Sequence, residues 1–351
     1  MQTANGEKGG VDAVEPKIIL GFSGGVDSSA AALLLRQEGW LPTGVFLDMG
    51  DESAREAALS GAEQIRLPLI CADIRRELEQ FVCEPFCAGY LAGKTPIPCI
   101  LCNPAVKFRK LLEHADELGA QWIATGHYAR VKDGALYTAR SQNDQSYMLC
   151  GLTREQLRRC RFPLGDFSSK AEVRAFAAAH SIAAADRPDS QEICFIPDRD
   201  YRAWIERRGH APTAGDLVLN GSRFGSHTGI FHYTVGQRLP GFYDGRKLYV
   251  SSIDAAHNVV ELCYWDELFY KTVYAQPFNW LIDPPQTPIR ASVRVRHTKW
   301  EQPPCSVYPE QDGQIRILCD WPVRAPAPGQ SAVLYDGERV LGGGTIVRAE
   351  K

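Results

Sequence analysis

The chain lacks any apolar run approaching the roughly 20 residues that a membrane-spanning helix requires. Its first 16 residues also lack the apolar segment of a secretory signal peptide, since they are polar and rich in glycine. We therefore expect a cytoplasmic protein that has no membrane partner. Residues 1–16 are expected to form a disordered leader.

The composition also lacks an excess of positive charge, because the net charge of the 351 residues is −3. This argues against a general nucleic-acid binder and leaves local basic patches for contacts with RNA.

The 11 cysteines are an odd number in a long chain, which disfavours a secreted disulfide scaffold and indicates that some thiols are chemically active. The length predicts about two to three domains.

A loop of small residues follows the first predicted strand. Residues 20–29 read Leu-Gly-Phe-Ser-Gly-Gly-Val-Asp-Ser-Ser and precede a run of alanine and leucine. No lysine follows the glycines, so the segment is not a GxxxxGK[ST] phosphate loop. Glycine lets a ligand approach the backbone closely, and N–H groups at the start of a helix bind anions. We therefore expect phosphate groups to bind this loop.

Strands alternate with helices in the N-terminal half of the chain. The predicted strands are 17–22, 43–47, 64–70 and 122–125, and the predicted helices are 28–38, 54–61, 74–90, 104–118 and 170–180. This alternation predicts an α/β fold with a doubly wound parallel sheet. Ligands bind beyond the carboxyl ends of the strands in such sheets, and residues 21–28 and 125–128 lie at such ends.

Short strands separated by turns replace this pattern after Gly209. They are predicted at 216–219, 248–253, 259–263, 291–295, 315–318 and 332–335. The dipeptides Asn220-Gly221 and Asp244-Gly245 are typical of hairpin turns. We expect two small β-rich barrel domains, a central one at 206–272 and a C-terminal one at 273–351.

Cys99 and Cys102 form a Cys-x-x-Cys pair ahead of a predicted basic helix that contains Lys107, Arg109 and Lys110. Helix N-termini and nearby cations lower the pKa of thiols, so we expect reactive thiolates here. By itself the pair is compatible with a redox pair, half of a zinc site or iron–sulfur ligands. The sequence has no second Cys-x-x-Cys pair to complete a zinc site.

Cys194 is a further candidate for a catalytic thiol. It lies after a proline, in a segment that is first polar and then apolar, which is typical of a loop that enters the fold. The other eight cysteines lie mostly among apolar neighbours, and we interpret them as packed core thiols. Cys83 and Cys87 have the spacing of half a metal site, but no adjacent histidine supports that interpretation.

Ten segments, in the same order along the chain, resemble the tRNA-specific 2-thiouridylase family of ATP-pyrophosphatase loop enzymes. They are GFSGGVDSS at 21–29, TPIPCILCN at 95–103, ATGHYAR at 124–130, NDQSYML at 143–149, FPLGDFSSKAEVR at 162–174, DSQEICFIP at 189–197, HTGIFHYTVGQR at 227–238, YVSSIDAAHNVV at 249–260, RVRH at 294–297 and PGQSAVLYDGERVLGGG at 328–344. The resemblance covers residues 17 to about 348. It implies an adenine nucleotide alpha hydrolase-like catalytic domain at 17–205 that includes a helical part for binding tRNA.

The resemblance also implies roles for individual residues. ATP would bind Gly21, Phe22, Ser23, Gly24, Gly25, Val26, Asp27, Ser28, Leu47 and Gly126. Asp27 would also help to hold Mg²⁺. Cys102 would be the nucleophile, and Cys194 would be the thiol that carries a persulfide. Contacts with tRNA would come from Ile97, Pro98 and Cys99 at the target base, and from His127, Asn143, Asp144, Gln145, Arg296, His297 and Gln330.

The implied reaction is ATP-dependent 2-thiolation of the wobble uridine. ATP would adenylate the C2 oxygen of the base. Sulfur would then come from the Cys194 persulfide, either directly or as hydrogen sulfide after attack by Cys102. The two cysteines would end as a disulfide that an external reductant must open. The implied partners are the anticodon stem-loop of tRNA and a sulfur-donating cysteine desulfurase or relay protein.

Three positions depart from the family pattern. Many relatives have aspartate, a proposed acid/base group, where this chain has Cys99, which makes Cys99 a third catalytic candidate. It could replace that group, be a spectator, or join Cys102 and Cys194 in a [4Fe–4S] cluster, as in related tRNA thiolases. The segment 48–60 is shorter than is usual, and Asn143 replaces a lysine. We favour the persulfide route over the cluster.

Other interpretations leave part of the sequence unexplained. Argininosuccinate and GMP synthetases share the loop but lack the paired cysteines. An RNA-binding module with a vestigial ATPase would not need an intact Ser-Gly-Gly-Val-Asp-Ser loop, and a dithiol redox protein would not need an ATP loop.

Without the resemblance, three of the predicted residues would be interpreted differently. His127 would be a packed residue at a strand end, and Arg294 and Arg296 would lie on a solvated strand face.

Overall fold

The structure is a computed structural model that describes residues 16–186, 193–243, 245–297 and 302–351. Its first unit contains a parallel sheet of five strands in the order β3-β2-β1-β4-β7, with a hairpin β5–β6 inserted before β7. The strands are β1 (Lys17–Gly21), β2 (Leu41–Asp48), β3 (Leu69–Asp73), β4 (Trp122–Thr125), β5 (Ala129–Lys132), β6 (Ala135–Thr138) and β7 (Cys160–Arg161). The predicted α/β fold with a doubly wound parallel sheet is confirmed.

Helices cover both faces of this sheet. They are α1 (Val26–Gln37), α2 (Glu52–Gln64), α3 (Arg75–Leu78), α4 (Glu84–Leu91), α5 (Pro98–Cys102), α6 (Phe108–Glu117), α7 (Arg154–Arg158), α8 (Lys170–Ala179) and α9 (Tyr201–Arg207). Ile18 and Leu20 of β1 pack on the α1 side, whereas Ile19 between them packs with Leu111 of α6. Successive strand residues point to opposite faces, so a strand covered on both sides must be apolar throughout.

Two predicted elements have wrong bounds. The helix expected at 104–118 already begins at Pro98, because a π-helical turn over Asn103–Lys107 joins α5 to α6 and accommodates Pro104. The strand expected at 64–70 begins only at Leu69. The reason is that α2 continues to Gln64 and is followed by a turn in which Arg66 has a φ of 52°.

The second unit is a five-stranded sheet in the order β10-β11-β12-β8-β9. Its strands are β8 (Gly215–Leu219), β9 (Ser222–His227), β10 (Arg238–Tyr243), β11 (Lys247–Asp254) and β12 (Val259–Cys263). Asn220 and Gly221 have φ values of 53° and 74° and connect β8 to β9, as their dipeptide predicts. Asp244, in the other predicted turn, lies outside the described residues.

The third unit is a closed barrel of six strands, because β13 pairs with both β16 and β18. Its strands are β13 (Phe269–Trp280), β14 (Ile289–Arg294), β15 (Pro304–Pro309), β16 (Ile315–Arg324), β17 (Ser331–Asp336) and β18 (Arg339–Glu350). The hairpin β5–β6 of the first unit extends this barrel through Tyr137, which pairs with Arg339. The boundary predicted between residues 272 and 273 falls inside β13.

Most of the cysteines predicted to be core thiols are buried. Cys305 and Cys319 face each other across β15 and β16 inside the barrel, and both have no exposed surface. Of the eight, Cys71 alone is partly exposed. No helix within the described ranges is long and apolar enough to cross a membrane.

The buried face of α6 generates a prediction about stability. Leu111 is fully buried under the sheet, so Leu111→Ala should lower the free energy of unfolding by about 2–5 kcal/mol through lost burial and a cavity. Leu118, at the end of the same helix, is 40% exposed. Leu118→Ala should therefore change the free energy of unfolding by less than about 0.5 kcal/mol. Urea denaturation of both variants is the measurement. Equal effects would contradict the assignment of the buried face.

Candidate active site

The loop between β1 and α1 is packed too tightly for side chains at its centre. Gly24 has a φ of 72°, and a Cβ atom built there would lie 2.3 Å from the carbonyl oxygen of Ala57 in α2. Gly61 of α2 faces it, with a Cβ position 3.1 Å from the Cα of Gly24. Close approach of loop and helix therefore requires glycine at position 24 and leaves little space for a side chain at position 61. Gly61 was not among the residues predicted to form the site, although a glycine inside a helix costs stability and signals a packing constraint.

Hydroxyl groups fix the shape of the same loop. Ser28 donates a hydrogen bond from Oγ to the carbonyl of Gly25 at 3.1 Å and accepts one from the backbone N–H of Ser23 at 3.3 Å. Gly25 occupies the N-cap position of α1, so the first N–H groups of this helix face the loop without a capping side chain. The loop thus presents a preformed cradle for an anion.

The other predicted nucleotide residues lie around this loop. Gly126 follows β4, and a Cβ atom there would lie 3.0 Å from the carbonyl carbon of Asp27. Leu47, near the end of β2, is partly buried and packs in the same apolar cluster as Cys102. The structure therefore brings Gly126 to the loop and places Leu47 in the apolar cluster that contains Cys102.

Asp27, the expected magnesium ligand, is engaged by two side chains of this protein. Its two carboxylate oxygens accept hydrogen bonds from the hydroxyl of Tyr128 at 2.8 Å and from Nζ of Lys170 at 3.0 Å. The carboxylate is thus paired with an ammonium group and a phenol hydroxyl in the structure. We therefore assign no step to a protein-held metal ion. Lys170 and Tyr128 were given no role from the sequence, although both lie in segments that it singled out.

The thiols predicted to be catalytic lie on α5 and on the segment that starts at Ile193. Cys102 is partly buried near Val106, and Cys99 is exposed one turn earlier. Cys194 is exposed and its neighbour Phe195 contacts Phe86 and Trp204, with ring centroids 5.6 and 5.4 Å apart. Cys194 contributes to the raised pKa of both Cys99 and Cys102, and its neighbour Phe195 packs in the same apolar cluster as Cys102.

Cys83 is a fourth thiol near this group. It ends a π-helical turn, Glu79–Cys83, that packs against α5 and belongs to the same apolar cluster as Cys102. The pKa of the Cys83 thiol is raised to about 12, mainly by burial and further by Cys194 and Cys102. It was interpreted as a core thiol, and its burial agrees with this.

The expectation that the thiol pKa values are lowered is wrong. Burial raises the pKa of Cys102 to about 11, although the ammonium group of Lys107 opposes this shift. The helix begins at Pro98, so Cys102 lies at the end of α5 rather than ahead of a helix N-terminus. The other expected cations are engaged by carboxylates, Arg109 by Glu113 and Lys110 by Glu77 and Glu113.

The alternative of an iron–sulfur cluster would need Cys99, Cys102 and Cys194 as its ligands. Within the part of the chain that the structure describes, no group of three or more His, Cys, Asp or Glu side chains could hold a metal ion. Cys99, Cys102 and Cys194 all belong to that part. The arrangement therefore gives no support to the [4Fe–4S] alternative.

His127 and Gln145 flank the strand end beside the nucleotide loop. His127 shares a hydrogen bond of 2.7 Å with the hydroxyl of Thr125, and burial lowers its pKa to about 3, with Lys107 acting in the same direction. Gln145 accepts a hydrogen bond from the backbone N–H of Tyr128 at 2.9 Å. His127 is therefore neutral at physiological pH.

Three of the predicted tRNA residues form contacts between units of the fold. Asp144 pairs with Arg294 at 3.0 Å, and both side chains are largely buried. Arg296 donates to the carbonyl oxygens of Ala325 and Val235, which belong to the barrel and the second unit. Gln330 donates from Nε2 to the carbonyl oxygen of Thr95 at 3.0 Å.

The remaining predicted tRNA residues are more accessible or lie next to α5. Asn143 and His297 are exposed, and His297 is 3.2 Å from the carbonyl oxygen of Asp144. Ile97 is partly buried and Pro98 is buried at the start of α5, where Cys99 is exposed. These residues lie on the side of the molecule where the catalytic unit meets the barrel.

Comparison with known proteins identifies the three units. Residues 16–198 match the family model described as tRNA methyl transferase HUP domain. Residues 207–264 match the tRNA methyl transferase PRC-barrel domain, and residues 270–346 match the aminomethyltransferase beta-barrel domain. The matched ranges follow the three sheets in order.

Curated relatives match almost the whole chain. The chain is 41% identical to the tRNA-specific 2-thiouridylase MnmA of Syntrophotalea carbinolica, over 94% of this chain and 98% of that protein. It is 38% identical to the proteins of the same name from Geotalea uraniireducens, over 95% of each chain, and from Trichlorobacter lovleyi, over 95% of this chain and 98% of that protein.

The raised pKa of Cys102 predicts its reactivity at rest. At a pKa of about 11 the thiol is protonated near neutral pH, so its alkylation by iodoacetamide should accelerate about tenfold per pH unit up to roughly pH 10. Mass spectrometry of the peptide that contains Cys102 measures this rate. In the denatured chain the rate should level off above about pH 9, near the ordinary thiol pKa. A plateau below pH 9 in the native protein would contradict the raised value.

Proposed function

Because the chain belongs to the tRNA-specific 2-thiouridylase family, we propose that it transfers sulfur from a cysteine persulfide to the wobble uridine of tRNA. It is an ATP-dependent tRNA sulfurtransferase that forms 2-thiouridine. One observation carries the proposed mechanism. Leu47, which is predicted to bind ATP, and Cys102, which is predicted to be the nucleophile, pack against the same apolar cluster. Nucleotide chemistry and sulfur chemistry can therefore occur at the same bound base.

The first proposed step is adenylation of the base. The C2 oxygen of uracil attacks the α-phosphorus of ATP, pyrophosphate leaves, and the oxygen becomes part of an AMP leaving group. The N–H groups at the start of α1 stabilise the charge that develops on the departing phosphates. Lys170 pairs with Asp27 at the same helix start, which holds the Asp27 side chain in place beside the loop.

The second proposed step moves sulfur to C2. The terminal sulfur of the Cys194 persulfide attacks C2 and AMP leaves, which links Cys194 to the base through two sulfur atoms. The Cys102 thiolate then attacks the Sγ atom of Cys194. A Cys102–Cys194 disulfide forms, the outer sulfur stays on C2, and an external thiol reduces the disulfide. In the alternative order Cys102 first attacks the persulfide, and the hydrogen sulfide released attacks C2.

The proposed partners follow from this chemistry. Cys194 is exposed, so a sulfur-donating cysteine desulfurase or relay protein can load it. The anticodon base must leave its stack to reach the thiols, as bases do in other enzymes that modify them. The ATP residues 21–28, Leu47 and Gly126, and the tRNA residues named from the sequence, keep their proposed roles. The domain limits at 17–205, 206–272 and 273–351, and the cytoplasmic location, stay predictions.

The thiol roles can be separated from the ATP step. Cys102→Ser and Cys194→Ser should each reduce 2-thiouridine to background, because a serine oxygen can neither carry a persulfide nor form a disulfide. Both variants should still release pyrophosphate in the presence of tRNA. Mass spectrometry of digested tRNA and a pyrophosphate assay measure the two steps. Cys71→Ser, at a partly exposed thiol on β3, is the matched control and should retain both. Normal thiolation by either active-site variant would refute the persulfide route.

Cys99 separates the persulfide route from the cluster. If Cys99 only occupies the position of the aspartate found in relatives, Cys99→Asp should retain most of the activity in an iron-free enzyme. Metal analysis and absorption near 400 nm on protein prepared without oxygen provide the measurement. Stoichiometric iron whose content tracks activity, and which is lost in Cys99→Ala, would overturn the proposed route.

A further inference from the structure

The loop that leads into α5 is held by the other two units of the protein. Thr95, three residues before the helix, donates its backbone N–H to the carbonyl oxygen of Pro328 at 2.8 Å. Its carbonyl oxygen accepts a hydrogen bond from Nε2 of Gln330 at 3.0 Å. On the other side, Gly93 packs against Ile253 of β11, with a Cβ position 2.9 Å from Cγ2 of that residue.

The barrel approaches this loop closely and rigidly. Gly329 has a φ of 92°, and a Cβ atom there would lie 2.9 Å from the backbone nitrogen of Thr95. Gly329 donates its N–H to the carbonyl of Ile346 at 2.9 Å, and Ile346 donates to the carbonyl of Gln330 at 2.7 Å. Gln330 is therefore bonded to β18 through its backbone, and its side chain is bonded to Thr95 in the first unit.

We propose that Gln330 is a positioning residue, which holds the loop before α5 in register so that Cys99 and Cys102 lie where sulfur transfer requires them. This inference rests on the proposed function for its catalytic consequence, but the positioning itself is a property of the free protein. It adds to the expected contact of Gln330 with tRNA, because the hydrogen bond to Thr95 exists without RNA.

The structure explains why the side chain matters in addition to the backbone contact. Thr95 is buried, and Gln330 satisfies its carbonyl oxygen. A buried carbonyl that loses its donor favours conformations in which it reaches water. Loss of the Gln330 amide should therefore open the loop, and because α5 begins at Pro98 the opening should reach the helix that carries the thiols.

Hydrogen–deuterium exchange of the full chain without tRNA tests the positioning role. Gln330→Glu keeps the shape but places a carboxylate oxygen against the carbonyl of Thr95, and Gln330→Asn keeps the amide but shortens its reach. In both variants, exchange in peptides covering residues 94–102 should rise about three- to tenfold, as expected for the loss of one hydrogen bond. Gln314→Ala is the control, since Gln314 contacts Gln276 within the barrel and should leave these peptides unchanged.

Enzyme kinetics then separate positioning from RNA binding. A positioning role predicts that kcat for 2-thiouridine falls about tenfold in Gln330→Asn while the tRNA KM changes less. A melting temperature close to that of the unmodified protein confirms that the variants fold. Unchanged exchange in the 94–102 peptides, with only the KM for tRNA raised, would overturn the proposal. If the chain made no 2-thiouridine at all, the proposed function would fail while the exchange result would still decide the positioning role.

Discussion

The contact between the β1–α1 loop and α2 is the constraint on which the rest of the site depends. Gly24 and Gly61 face each other, with no room for a side chain at Gly24 and little at Gly61. This contact fixes the start of α1 beside the ends of β1 and β4. It thereby brings Gly126, Asp27 and the first N–H groups of α1 around one anion site.

Burial decides the electrostatic character of the thiols. Lys107 favours their ionised forms, but removal from water outweighs it, so the pKa of Cys102 is raised to about 11. A protonated thiol is a weak nucleophile and resists oxidation. The resting enzyme therefore keeps Cys102 unreactive beside the exposed Cys194.

Contacts among the three units use the side chains that were expected to meet tRNA. Asp144 pairs with Arg294 across the catalytic unit and the barrel, and Arg296 joins the barrel to the second unit. A largely buried ion pair of this kind is costly to break on one side only. The proposed tRNA contacts thus include side chains that hold the units together, and Gln330 adds a link to the loop before α5.

The sequence by itself determined the class of fold, the phosphate loop and the thiols, because these depend on local patterns: alternation of strands and helices, glycines beside serines, and a Cys-x-x-Cys pair. It did not determine the start of α5 at Pro98, since a π-helical turn that accommodates Pro104 follows from packing. Nor did it determine that Asp27 pairs with Lys170, 143 residues away, or that Cys102 has a raised pKa. Those properties depend on burial and on charges from distant segments, which only the tertiary structure brings together.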